Sequence, residues 1–150
     1  SYIHESLYQN KTFSSINFSD YVTTLTNNIL HSYTATMQKV RLELNVQKVI
    51  LNLDTSIPAG LIINELVTNC IKHAFNAKNE GIITINLLTK DNVLFLEVKD
   101  NGSGFPDEVD FKNTNSLGLQ LVNTLIEQLN GKIELKTTQE GTSFIINFPM

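Results

Sequence analysis

Residues 61–75 place a carboxylate, amides, a cation and an imidazole at spacings that suit one face of a helix. A helix turns by about 100° per residue, so Glu65, Asn69 and Lys72 share one side and His73 lies at its edge. Asparagine is a poor helix former and adds little to a solvated face, but its amide oxygen is a good Mg²⁺ ligand. Lysine is a compact cation that suits phosphate. This face predicts a site for a metal-bound phosphate, and an ordinary solvated face is the alternative.

A glycine-rich segment begins at Asp100, at the end of an alternating stretch that predicts a strand. Gly102 and Gly104 allow the backbone to approach a ligand closely, and a carboxylate at a strand end can accept a hydrogen bond from an exocyclic amine. A tight turn is the alternative. The segment is not a dinucleotide-binding fingerprint, because it has no third glycine at the required place and no helix follows directly.

Two further glycine segments are weaker signals. Leu117 and Gly118 open a helix, whose free N–H groups form an anion site, although a plain helix start explains them too. Gly141 and Thr142 are explained by a turn between two strands. Cys70 falls on the apolar side of its helix, where we expect a buried and inert thiol.

The elements that must position these residues follow from periodicity and turn residues. Helices are predicted from Ser19 or Asp20 to about Thr36, from Ser56 as N-cap with Pro58 in the first turn to about Asn76, and from Ser116 to about Leu129. Strands are predicted at 40–46, 49–53, 82–89, 93–99, 132–137 and 143–148. This order predicts an α+β fold, a two-layer sandwich of a mixed sheet with helices packed on one face. The loop at 100–115 is long enough to be functional.

Composition excludes several classes of protein. The 150 residues suit one domain, and a net charge of −4 with 11 scattered Lys and Arg argues against nucleic-acid binding. One cysteine excludes a disulfide framework and a zinc cluster. No apolar run approaches the roughly 20 residues of a membrane span, so we expect a cytoplasmic domain without membrane contact. The chain begins without Met, which suggests a piece of a longer protein.

The motifs resemble, in order and spacing, the boxes of a known ATPase superfamily. The segment from Asn64 to Phe75 resembles the N box, Asp100 to Gly104 the G1 box, Leu117 to Val122 the G2 box and Gly141 to Phe144 the G3 box. These are boxes of the gyrase, Hsp90, histidine kinase and MutL superfamily, and the match covers about 55–150 with a looser match back to residue 1. Residues 3–8 and the sequence of the N box resemble the corresponding segments of sensor kinases with a variant dimerisation and phosphoacceptor domain.

The resemblance implies a role for each candidate residue. Asp100 would accept a hydrogen bond from the adenine amine, and Gly102 and Gly104 would admit the nucleotide and a lid at 101–117. Asn69 would bind Mg²⁺, and Lys72 and His73 would bind the phosphates. The nucleotide would also be bound by Leu117, Gly118 and Thr142. Glu65 and Lys72 would be the catalytic residues. Residues 1–18 would be the end of a dimerisation helix and a linker, and residues 19–150 the catalytic domain.

The chain also departs from the family pattern. Ser116 stands where the G2 box often has its first glycine, and Phe111 is a weak match to the phenylalanine box. His4-Glu5 resembles a phosphoacceptor pair, but in the similar subfamily this pair follows the acceptor region. We therefore expect no autophosphorylation by this fragment alone. We expect His31 to have a structural role.

The resemblance favours the catalytic domain of a histidine kinase, with ATP and Mg²⁺ as cofactors. Its partners would be its own dimerisation and phosphoacceptor domain, a second copy in a full-length homodimer, and a response regulator. Three alternatives remain: an anti-sigma-type serine kinase, a nucleotide-binding module without transfer activity, and a hydrolytic ATPase clamp. The linker-like residues 1–18 argue against the serine kinase. The intact N and G1 boxes argue against a module without transfer activity, and the absence of a transducer domain argues against the ATPase clamp.

Overall fold

The structure is a computed structural model that describes residues 15–33, 39–74, 80–102 and 117–150. Several predictions lie outside these ranges: the helical fragment and His4 near the start, the loop residues Gly104 and Phe111, and the helix cap at Ser116. The side chain of His73 is also outside the described part.

Within these residues the chain forms three α-helices and seven strands. In order they are β1 (Ser15–Asn17), α1 (Phe18–Tyr33), β2 (Lys39–Val46), β3 (Ile50–Asn52), α2 (Leu53–Asn69), β4 (Glu80–Lys90), β5 (Val93–Asp100), α3 (Leu117–Gln128), β6 (Lys132–Thr138) and β7 (Gly141–Pro149). The main sheet has the order β2-β4-β5-β7-β6, with β2 and β4 parallel and the other pairs antiparallel. The predicted mixed sheet is confirmed.

The sheet buries one face because its strands alternate apolar and polar residues. The core consists of the inward-facing strand residues and the apolar sides of the helices, with Ile83, Ile85, Leu96, Ile146 and Phe148 among its sheet members. The helix α2 contacts both α1 and α3, which completes the helical layer. No helix in the described ranges has the length and apolar character to cross a membrane.

The opposite face of the sheet carries a row of polar side chains that are hydrogen-bonded across four strands. Asn45 donates to Asn86 over 2.8 Å, and Asn86 donates to Glu97 over 2.8 Å. Ser143 donates to the other carboxylate oxygen of Glu97. Partial burial acts in the opposite direction, but these hydrogen bonds and two nearby lysines lower the pKa of Glu97. The helices therefore cover one face only, as predicted.

Two local predictions need correction. The stretch at 49–53 does form a strand, but β3 pairs with β1 in a separate two-stranded sheet, because its partner comes from a distant segment that local alternation does not reveal. The second helix begins at Leu53 and not after Ser56, since the side chain of Asn52 accepts from the N–H of Thr55 over 2.8 Å and caps it.

Ser56 is therefore a helix-interior residue. It is 1% exposed, and its Oγ finds no hydrogen-bond partner among the described residues. We expect Ser56→Ala to raise the free energy of unfolding by about 1 kcal/mol, because alanine removes a buried unpaired hydroxyl and is the better helix former. Urea denaturation measures this, with the exposed Ser32→Ala on α1 as control. A loss of stability would show that Ser56 has a partner after all.

Candidate functional site

One inward-facing row at the end of the sheet is polar, although the neighbouring rows are apolar. Asp100 of β5 lies opposite Thr142 of β7, and Thr142 lies opposite Thr137 of β6. Two residues further along, Val98 and Phe144 belong to the core. Asp100 and Thr142 are each only 4% exposed. Burying a polar group costs free energy unless the group is hydrogen-bonded, so the polar side chains of this row need hydrogen-bond partners.

The carboxylate of Asp100 is held by backbone donors. Its Oδ1 accepts from the N–H of Gly102 over 2.9 Å and from the N–H of Thr142 over 3.3 Å. The next residue, Asn101, is tied to β4, because it donates to the carbonyl of Ile82 over 3.2 Å and its Oδ1 accepts from the N–H of Ile82 over 2.8 Å. The first residues after β5 are thus anchored on both sides. Their position keeps the Asp100 side chain in one orientation.

Gly141, the first residue of β7, packs against the end of β5. Its φ is +148°, a conformation that side-chain-bearing residues rarely adopt. A Cβ at this position would lie 2.0 Å from the carbonyl oxygen of Asp100. Only a glycine lets β7 begin in contact with the end of β5. The predicted G3 glycine is therefore a packing requirement of the Asp100 row and more than a loose turn.

The end of α2 carries the other predicted residues. Glu65 and Asn69 lie one turn apart and are half-buried, and Lys72 is exposed. The α-helix gives way to a π-helical turn at Cys70–Ala74, so the rotation of 100° per residue used for the sequence does not hold for Lys72 and His73. Hydrophobic periodicity cannot reveal such a turn, and π-helical turns are frequent at functional sites.

Cys70 is buried directly after Asn69 and is 3% exposed. Burial, and then the charge of Asp100 and hydrogen bonding with it, raise the pKa of the thiol well above its ordinary value. The expected burial of Cys70 is confirmed. The influence of Asp100 on Cys70 was missed, because no local pattern links residues 30 positions apart.

Thr137 was missed as well. Its Oγ1 lies 3.3 Å from Oγ1 of Thr142, within hydrogen-bonding distance. The sequence did contain a signal. Thr137 follows Ile133 and Leu135 at a spacing of two residues and so shares their side of β6, but it is polar where they are apolar. Such a polar residue in phase with a buried face is a candidate for a site.

The remaining predicted residues stand further along the chain. Leu117 is 80% exposed and Gly118 is half-buried, and both lie at the start of α3, beside α2. The structure thus brings Asp100, Gly102 and Thr142 together, and β5, which ends at Asp100, contacts the helix α2, which bears Asn69. One end offers a buried carboxylate. The other offers an amide oxygen and a cation.

Comparison with known proteins agrees with this arrangement. The family described as "Histidine kinase-, DNA gyrase B-, and HSP90-like ATPase" matches residues 54–150. A second family, described as "Histidine kinase", matches residues 1–33. The first match covers most of the chain and includes the Asp100 row and the end of α2.

Similar proteins include two sensor kinases. The chain is 35% identical over 104 residues to the sensor histidine kinase PdtaS of Mycobacterium tuberculosis, which is 67% of this chain and 21% of that protein. It is 28% identical over 109 residues to the blue-light-activated histidine kinase 2 of Erythrobacter litoralis, which is 72% of this chain and 31% of that protein. The chain thus spans between a fifth and a third of these relatives.

Solved structures confirm the fold. The histidine kinase domain of the Erythrobacter litoralis EL346 blue-light-activated histidine kinase superposes with a TM-score of 0.84 at 24% identity, covering 89% of this chain and 65% of that one. The catalytic domain of histidine kinase ThkA gives a TM-score of 0.72 at 19% identity, covering 91% and 96%. With the sequence match over residues 54–150, these findings place the chain in the family of histidine kinase-, DNA gyrase B- and HSP90-like ATPases.

Proposed function

We propose that this chain is the catalytic domain of a sensor histidine kinase and that it moves the γ-phosphoryl group of ATP to a histidine of a dimerisation segment. The observation that carries the proposal is the Asp100 carboxylate, buried at the end of β5, a strand that contacts the helix bearing Asn69. The match of residues 1–33 to a histidine kinase family supports the same conclusion.

The proposed roles divide between the two ends of the site. Asp100 accepts from the exocyclic amine of adenine, beside Thr142 and Gly102. The amide oxygen of Asn69 would hold Mg²⁺, which would neutralise phosphate charge. Lys72 and His73 meet the phosphates, and the N–H groups at Leu117 and Gly118 bind the phosphate tail.

The transfer itself requires mainly positioning. A nitrogen of the acceptor imidazole attacks the γ-phosphorus, the bond to the β-phosphate oxygen breaks, and ADP leaves with the electron pair. Glu65 lies one turn before Asn69 and is partly accessible, so it can polarise the acceptor imidazole and take up its proton. The full-length protein would act as a cytoplasmic homodimer and pass the phosphoryl group to a response regulator.

The full-length protein that contains this chain provides the test. With labelled ATP and Mg²⁺ we expect a phosphoprotein whose label is lost in acid and kept in alkali, as for a phosphohistidine. Label that survives acid and appears on a separate protein would instead support a serine kinase. That second candidate has one observation in its favour, a 41% identity over 46 residues to the anti-sigma F factor of Geobacillus stearothermophilus.

Asn69 gives a prediction for the isolated domain. We expect Asn69→Ala to remove most of the Mg²⁺ dependence of ATP binding and to spare ADP binding without metal, because the amide oxygen is assigned to the metal alone. Calorimetry with a non-hydrolysable ATP analogue, with and without Mg²⁺, measures this. Asn27→Ala on the exposed face of α1 is the matched control. An equal loss in both conditions would contradict the assignment.

A further inference from the structure

The polar row at the end of the sheet runs from a buried position to an exposed one. Strand register places Asp100, Thr142 and Thr137 side by side on β5, β7 and β6. Asp100 and Thr142 are each 4% exposed, whereas Thr137, on the edge strand, is exposed. Oγ1 of Thr137 lies 3.3 Å from Oγ1 of Thr142, and the N–H of Thr142 donates to Oδ1 of Asp100. Thr142 therefore contacts both of its neighbours in the row.

We propose that Thr137 is a positioning residue, which donates its hydroxyl proton to Oγ1 of Thr142 and thereby leaves the proton of Thr142 for adenine. This inference rests on the proposed function, since it assumes that adenine binds at Asp100. A threonine hydroxyl has one proton to donate and can accept as well. If Thr142 used its proton on Thr137 instead, it could only accept from a ligand. The direction of this one hydrogen bond therefore decides what Thr142 offers to the base.

The base requires a donor at this place. In adenine the ring nitrogen N1 is an acceptor, and it is bonded to the carbon that bears the amine. When Asp100 accepts from the amine, N1 lies beside the carboxylate, and Thr142 is the register neighbour of Asp100. The proton of Thr142 then reaches N1 directly or through one water molecule. In guanine N1 carries a proton itself, so Thr137 favours adenine without touching the base.

A cross-strand pair of threonines has a simpler role, since such pairs stabilise a sheet. A purely stabilising pair affects the free energy of unfolding and leaves the discrimination between bases intact. A positioning role instead affects the affinity for a base that has an acceptor at N1. Thr137→Val separates the two roles, because valine has a similar shape, is a good strand former and lacks the hydroxyl.

The experiment compares the binding of ATP and of 1-deaza-ATP, in which a C–H group replaces N1, by calorimetry. We expect wild type to bind ATP about two- to tenfold more tightly than the analogue, the range that one net hydrogen bond provides. In Thr137→Val this ratio should fall towards one, whereas Thr137→Ser keeps the hydroxyl and should keep the ratio. Thr84→Val, a half-buried threonine on the opposite face of β4, is the matched control and should also keep it.

Three results would overturn the proposal although ATP binds well. They are a wild-type ratio of one, a ratio in Thr137→Val equal to that of wild type, and a ratio that falls as much in Thr137→Ser as in Thr137→Val. A different result bears on the proposed function. If wild type does not bind ATP, or binds GTP equally well, adenine recognition at Asp100 is contradicted, and the role of Thr137 is contradicted with it.

Discussion

Replacing Asp100 by asparagine is expected to weaken ATP binding at least tenfold, while the melting temperature of the nucleotide-free domain changes little. An asparagine oxygen can still accept from the N–H groups of Gly102 and Thr142, so the corner keeps its shape. The substitution removes the charge and can turn an NH₂ donor towards the adenine amine. A hydrogen bond to a charged group contributes about 1.5–3 kcal/mol, which corresponds to roughly 10- to 150-fold in affinity.

The same argument applies to the choice of base. Guanine has an oxygen acceptor where adenine has its amine, so the wild-type domain should prefer ATP over GTP by a similar factor. Asp91→Asn at the exposed hairpin turn is the matched control and should change neither affinity. If Asp100→Asn binds ATP as tightly as wild type, or if wild type binds GTP equally well, adenine does not bind at Asp100.

Replacing Gly141 by alanine is expected to lower the free energy of unfolding by about 3 kcal/mol or more. A conformation that is essentially restricted to glycine costs about 1–3 kcal/mol for another residue. The added Cβ must also move away from the backbone oxygen of Asp100, only 2.0 Å from its ideal position. Overlap with backbone is hard to relieve, because β5 and β7 are hydrogen-bonded neighbours.

Urea denaturation of Gly141→Ala tests this, with Gln139→Ala in the same exposed turn as control. The control should change stability by less than about 0.5 kcal/mol. ATP binding by the folded fraction of Gly141→Ala should also fall, because Thr142 and Asp100 would separate. A loss of less than about 1 kcal/mol would show that the turn relaxes and that Gly141 is not required by packing.

Much of the fold could be predicted because its signals are local. Alternation placed β4, β5 and β7 to within about two residues, a typical error for element boundaries. The hairpin between β4 and β5 lies in the gap between the predicted strands at 82–89 and 93–99, where Asp91 and Asn92 have the positive φ that such a turn requires. The helix α3 ends at Gln128, close to the predicted end at about Leu129, because Asn130 is left-handed and the N–H of Gly131 donates to the carbonyl of Ile126.

The failures concern features set by distant contacts. Ser56 has a good N-cap side chain, but the helix begins at Leu53 and is capped by Asn52, where β3 ends. The burial of Ser56 follows from the packing of α2. The pairing of β1 with β3 depends on segments more than 30 residues apart. The motifs singled out Asp100, Asn69 and the glycines as candidates for the site. They did not reveal Thr137, which the strand register places opposite Thr142.

The central place of β7 in the sheet has a consequence for the order of events in folding. β7 lies between β5 and β6, although it follows both in the chain. Before it inserts, Asp100 lacks the N–H of Thr142, a partner 42 residues away. Contacts between distant segments are slow to form. The adenine site proposed at Asp100 is therefore incomplete in an intermediate without β7. We expect ATP to slow the unfolding of the finished domain and to leave the folding rate unchanged.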